Sequence, residues 1–174
     1  AGGMGLGVAN AVVSENERLR IKGLFDPDDG ALERVKSSGH PGVKRYSTRQ
    51  ELVADPAIDW VMVASYNSHH SAAVVDAFNA GKNVFCQKPI ATSLEDCLDM
   101  RDAWLKSGKL FSMGFNLRYS PHYRRIKELI DGGAVGRIIS MEFNETLEFN
   151  HGGYIFGDWR RLRANAGTHL LEKC

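Results

Sequence analysis

Apolar and polar residues follow two rhythms in this chain. Up to Gly114, short and nearly continuous apolar runs take turns with segments whose apolar positions recur every three or four residues. The runs predict strands and the recurrences predict helices. Val8–Asn16 predicts a helix opening from a glycine cluster, Arg20–Phe25 a short strand closed by Asp26-Pro27, Ala31–Ser37 a helix and Lys44–Tyr46 a short strand. Thr48 followed three residues later by Glu51 makes a capping box for the next helix, which Asp55-Pro56 ends. Ile58–Ala64 is apolar at nearly every position, as suits a strand covered on both faces. A helix over Ser71–Ala80, a strand over Asn83–Cys86, a helix capped by Thr92 or Ser93 and a strand over Leu110–Gly114 complete the series. Such alternation predicts an α/β fold, a Rossmann-type doubly wound parallel sheet with helices on both faces.

Beyond Gly114 the rhythm changes. Tyr123–Asp131 predicts a helix ended by Gly132-Gly133. Ile139–Phe149 alternates, with Ile139, Met141, Phe143, Leu147 and Phe149 on one face and Ser140, Glu142, Asn144, Thr146 and Glu148 on the other. That is the pattern of a long, half-covered strand in an antiparallel or mixed sheet. We therefore expect a dinucleotide-binding domain over residues 1–114 and, over 115–174, the start of a second α+β domain with an open, mostly antiparallel sheet. A glycine cluster of this kind normally follows a strand. A strand before Ala1 and a larger part after Cys174 are expected on that ground.

Composition narrows the function. The formal net charge is +1, from 22 basic and 21 acidic residues, and their even spread offers no basic stripe for nucleic acid. No apolar run reaches the length of a membrane-spanning helix. Cys86, Cys97 and Cys174 lack metal-ligand spacing, and Cys86 and Cys97 fall at core positions. A cytoplasmic protein without a metal site is the expectation.

The candidate chemistry sits where strands run out into loops, because such loops line the ligand crevice of a parallel α/β sheet. One loop carries Gln87, Lys88 and Pro89; the other runs Ser65-Tyr66-Asn67-Ser68-His69-His70. Gly2, Gly3 and Gly5 open a helix, either as an ordinary turn or as an approach for a pyrophosphate to the positive helix N-terminus. Asp26 ends the next strand, either as a turn-forming Asp-Pro pair or as an acceptor for the adenine ribose hydroxyls. With Asp28 and Asp29 it would repel a 2′-phosphate, which favours NAD over NADP. An ammonium at Lys88 beside an oxidised nicotinamide would have its pKa lowered, and would polarise or protonate a reacting oxygen. His70 starts a helix beside that crevice and reads equally as solvent-facing. Trp159 and Arg160 suit stacking and hydrogen bonding to a polyhydroxy ligand. Arg118 and Tyr119 face the same cleft or form a hinge.

These motifs together resemble the glucose–fructose oxidoreductase / inositol dehydrogenase family of NAD(P)-dependent oxidoreductases. The resemblance rests on Gly2-Gly3-Met4-Gly5, Ser65–His70, Ala80–Pro89, Gly114–Tyr119 and Gly157–Arg160, and covers nearly the whole chain. It implies that Lys88 is catalytic, with Pro89 often cis, and that Glu172 is the acid of a pair whose histidine lies four residues on. It implies cofactor contacts from Gly2, Gly3, Met4, Asp26, Ser65, Tyr66, Asn67, His70, Gln87 and Lys88, and substrate contacts from Arg118, Tyr119, Trp159 and Arg160. Gln87 departs from the family's usual glutamate, which removes a negative charge near Lys88. The implied activity is hydride transfer between nicotinamide and a hydroxyl-bearing carbon of a sugar, polyol or related cyclic alcohol, in a homodimer or homotetramer. An NAD-retaining glycoside hydrolase and a non-catalytic NAD-binding regulator are the two alternatives.

Overall fold

In the computed structural model, residues 2–146 and 148–173 are described; Ala1, Leu147 and Cys174, named above, lie outside them. Strand β1 (Gly23–Leu24) pairs in parallel with β2 (Lys44–Arg45), and β3 (Trp60–Val63), β4 (Asn83–Cys86) and β5 (Phe111–Met113) form a second parallel sheet in that order. Helix α1 (Gly3–Ser14) precedes β1, and α2 (Ala31–Ser37), α3 (Arg49–Ala54), α4 (His70–Asn79) and α5 (Leu94–Ser107) connect successive strands. Register matters most for function. Val63 lies opposite Cys86, and Cys86 opposite Met113, so three strands end level and their loops leave side by side.

The core gathers where α4 covers the second sheet. Ala73, Val74, Ala77 and Phe78 of α4 are buried with Val63, Val84, Cys86 and Met100. The Phe78 ring meets Phe111 edge-on, centroids 5.4 Å apart, an arrangement aromatic pairs favour. Burial pushes the Cys86 thiol up to about 12, so it behaves as a small apolar side chain.

Local signals place the helices. Thr48 Oγ1 accepts from the Glu51 amide at 3.1 Å, and Glu51 returns a carboxylate oxygen to the Ser47 amide at 2.9 Å. Of the two cap candidates for α5, Ser93 is the cap, its Oγ accepting from the Asp96 amide at 3.1 Å. Ser93→Ala is expected to cost about 1 kcal/mol, read as a lowered calorimetric Tm with unchanged far-ultraviolet dichroism.

Four expectations need correction. Helix α1 begins at Gly3 rather than Val8, and β1 is limited to Gly23–Leu24 because only these residues find ladder partners on β2. The unbroken apolar run at β3 does not mean cover on both faces: Trp60 is 41% exposed, and β4, flanked on both sides, is the central strand. The described residues of Ile139–Phe149 form no strand. Residues 139–146 carry no assigned secondary structure, and Phe149 opens α7 (Phe149–Phe156). Alternation supplies a face, but a strand also needs a neighbour for its N–H and C=O groups, and the described residues offer none. Ile139, Met141 and Phe143 stand exposed.

The chain ends in α6 (Pro121–Asp131), α7, a 3₁₀ turn at Asp158–Arg161, α8 (Arg163–Ala166) and α9 (His169–Lys173). Among the described residues no helix is long and apolar enough to cross a membrane.

Candidate functional site

The loops leaving β3, β4 and β5 are tied first by backbone. The Gln87 amide donates to the Val63 carbonyl, and the Gly114 amide to the Cys86 carbonyl, each at 2.9 Å. Gln87 then folds its side-chain oxygen back onto the Lys88 amide at 2.8 Å. It does so over Gly114, where a Cβ would sit 2.3 Å from that oxygen. The Lys88–Pro89 peptide is cis, as the resemblance implies.

His70 links two of these loops. It is 1% exposed, with Nδ1 2.8 Å from the Pro89 carbonyl and Nε2 3.3 Å from the Ser65 carbonyl. Burial pulls its pKa below the ordinary 6.5, although the surrounding carbonyls act in the opposite direction. The ring is therefore not solvent-facing: it sits in the interior against the carbonyls of two crevice loops. Its neighbour His69 is exposed.

Residues far along the chain close over the crevice. Asp158 takes a left-handed backbone, φ 57°, one that aspartate tolerates better than most residues, and Trp159 follows it. The Trp159 ring stacks on Tyr66 with centroids 4.4 Å apart and planes 19° apart. The Arg160 guanidinium lies 4.2 Å from the Trp159 ring centroid, and its Nε is 3.3 Å from Glu172 Oε1. Asn67, buried in the β3 loop, donates to the Ala166 carbonyl at 2.9 Å. Lys88 Nζ donates to the main-chain carbonyl of Glu172 at 3.0 Å. Tyr66, Asn67, His70, Lys88, Trp159, Arg160 and Glu172 therefore form one connected cluster.

The glycine-opened helix reaches the same end of the sheet. A Cβ on Gly5 would sit 3.0 Å from the Ala64 Cβ, so the bare glycine lets α1 press against the end of β3. Gly2 and Gly3 face open space, and α1 has no side-chain cap and no acid in its first turn. Exposed amides at an uncapped positive helix end suit a pyrophosphate. Half-buried Asp26 stands just past β1, with Oδ1 accepting from the Asp28 amide at 2.9 Å. These groups fit a dinucleotide. The proposed aid from Asp28 and Asp29 needs revision, since Arg34 and Arg45 approach them at 2.6 Å. The Arg34 guanidinium and the Gly30 amide hold Asp28 below the usual carboxylate range.

The remaining named residues lie elsewhere or are exposed. Met4 is exposed, Ser65 Oγ donates to the Tyr66 carbonyl at 3.3 Å, and Arg118 lies 5.2 Å from the Phe115 ring centroid with Tyr119 exposed beside it. Three features had no signal in the sequence: the carbonyls of Pro89, Ala166 and Glu172, the pairing of Arg160 with Glu172, and the stacking of Trp159 on Tyr66. Main-chain acceptors carry no side-chain signature, and the two pairings depend on how the last helices turn back.

Residues 1–115 match the model of an oxidoreductase family with an NAD-binding Rossmann fold. An inositol 2-dehydrogenase of Gluconacetobacter diazotrophicus is 37% identical over 121 residues, which are 69% of this chain and 36% of that protein. The crystal structure of an NAD-binding protein from Listeria innocua is similar at a TM-score of 0.74 and 28% identity, covering 99% of this chain and 49% of that one. Scyllo-inositol dehydrogenase of Lactobacillus casei, solved with NAD(H) and scyllo-inositol, is similar at a TM-score of 0.67 and 27% identity, covering 76% and 40%. The chain thus spans less than half the length of each of these proteins.

Proposed function

Because this chain belongs to the glucose–fructose oxidoreductase / inositol dehydrogenase family, we propose that it carries the cofactor half and part of the catalytic half of an NAD-dependent dehydrogenase. Its substrate would be a polyol, sugar or related cyclic alcohol. The observation that carries this reading is the cluster around Lys88, a half-buried ammonium held at the carboxyl end of the central strand and tied to Glu172. Bound NAD supplies a hydride acceptor at C4 of its nicotinamide. Lys88 donates a hydrogen bond to the oxygen of the reacting hydroxyl and steadies the negative charge that develops there, while the hydroxyl proton passes to the histidine base that the family resemblance implies four residues after Glu172. Gly2 and Gly3 leave α1's first amides bare for the pyrophosphate, and Asp26 accepts from the adenine ribose, which favours NAD over NADP. Residues 115–174 begin the substrate domain in this reading, and the exposed row Ile139, Met141 and Phe143 supports a covering sheet that builds a homodimer or homotetramer.

The test is turnover by purified protein supplied with NAD and a panel of inositols, cyclic polyols and sugars. Absorbance of reduced nicotinamide is expected to rise with at least one of them. Tight NAD binding with a flat trace across the whole panel overturns the dehydrogenase and favours the regulatory reading.

A further inference from the structure

Glu172 offers two different groups to two different cations. Its carboxylate faces Arg160, and its main-chain carbonyl takes the Lys88 ammonium. It belongs to α9, a helix of five residues, far too short to hold its own shape and place. What fixes α9 therefore fixes the acceptor that aims Lys88. Arg160 is one such anchor, at ion-pair distance from the Glu172 carboxylate. Its side chain is 18% exposed and that of Glu172 is 7% exposed, so the pair is largely withdrawn from water. The guanidinium is in turn seated on Trp159, which stacks on Tyr66 of the β3 loop. A continuous line of contacts thus runs from the end of β3 through Tyr66, Trp159, Arg160 and Glu172 to Lys88 at the end of β4.

We infer that Arg160 is a positioning residue for Lys88, acting through the Glu172 carboxylate rather than on the substrate. This rests on the reading of Lys88 given above. Removing the guanidinium leaves a buried carboxylate without its compensating charge, which is far costlier than losing an exposed pair. The helix bearing it then leaves its seat, and the Lys88 ammonium loses its carbonyl. A planar, delocalised cation is required because one face must stack while an edge meets the carboxylate.

The test labels lysines with a mild acylating reagent and reads the rate at each one by peptide mass spectrometry, with exposed Lys106 and Lys127 as internal references. Arg160→Ala is expected to raise labelling of Lys88 by about tenfold through local opening, with the references unchanged. Glu172→Gln keeps the main-chain carbonyl but not the charge, and is expected to shift Lys88 in the same direction. The double variant should show no more than the larger single effect, as expected for residues acting as one unit. Arg160→Lys, which keeps charge without the stacking plane, should fall between, and it also keeps the test alive should the alanine variant fail to fold. In turnover, the loss is expected in kcat, with NADH affinity within about threefold of the parent. Lys88 labelling within about twofold of the parent in Arg160→Lys and Glu172→Gln overturns the assignment. Labelling needs neither cofactor nor substrate, so a protein inactive on every polyol can still show the shift. Turnover with unshifted labelling would sink this role and leave the dehydrogenase standing.

Discussion

Lys88→Met is expected to lower polyol-dependent turnover by about 10²–10³-fold, the usual loss when one donor to a developing oxyanion is removed, while NADH affinity stays within about threefold. Methionine keeps much of the length and the apolar stem of lysine and removes only the charged donor, so packing against the crevice survives. The ammonium donates to a main-chain carbonyl at 3.0 Å and brings a positive charge to the crevice. That charge is what the reacting oxygen would meet. Fluorescence titration with NADH and steady-state kinetics on the best alcohol of the panel separate the two quantities. A parallel fall of affinity and turnover would make Lys88 a cofactor ligand rather than the group acting on the alcohol.

His70→Ala is expected to destabilise the fold by about 3–5 kcal/mol, combining a cavity with the loss of a buried hydrogen-bonding group. The ring is nearly inaccessible and faces the Pro89 and Ser65 carbonyls, so alanine leaves both acceptors in a dry site. Urea unfolding measures the loss. Since the folded pKa lies below the ordinary 6.5, the unfolded chain takes up the proton first. The stability His70 contributes is therefore complete above pH 6.5 and drains away as pH falls through the lower, folded value. Asp28 and Asp55, both lowered from 3.8 by their hydrogen bonds, lose their contributions only below that pH. Below pH 6.5 and above 3.8, within the His70 window, the parent's denaturation midpoint should slope downward with acid, and that of the alanine variant should stay flatter. A variant as stable as the parent would show that the ring is dispensable.

The alternation of apolar runs made the first half of the fold legible. Helix α2 and strand β4 match their expected bounds, and Thr48 caps α3. In each case a local pattern and the tertiary packing agree. The failures arise where they diverge. Glycines argue against a helix on propensity, yet α1 starts among them because Gly5 meets Ala64 at a distance no side chain allows comfortably. Ile139–Phe149 has the right alternation, and its described residues have no paired neighbour strand. At the site, loop positions were readable as residues at strand ends, which is why Lys88, Asn67 and Tyr66 appear together. The partner of Asn67 is a carbonyl 99 positions away and that of Lys88 a carbonyl 84 positions away. No periodicity encodes such a pairing.

Those separations also order events during synthesis. The β3–β4–β5 layer can pair as soon as Met113 has left the ribosome, since all of its ladder lies within residues 60–113. The clasp over Lys88 must wait until Trp159 and Glu172 emerge, and long loops close late. A nascent chain would therefore acquire its interior well before the lysine had its carbonyl anchor.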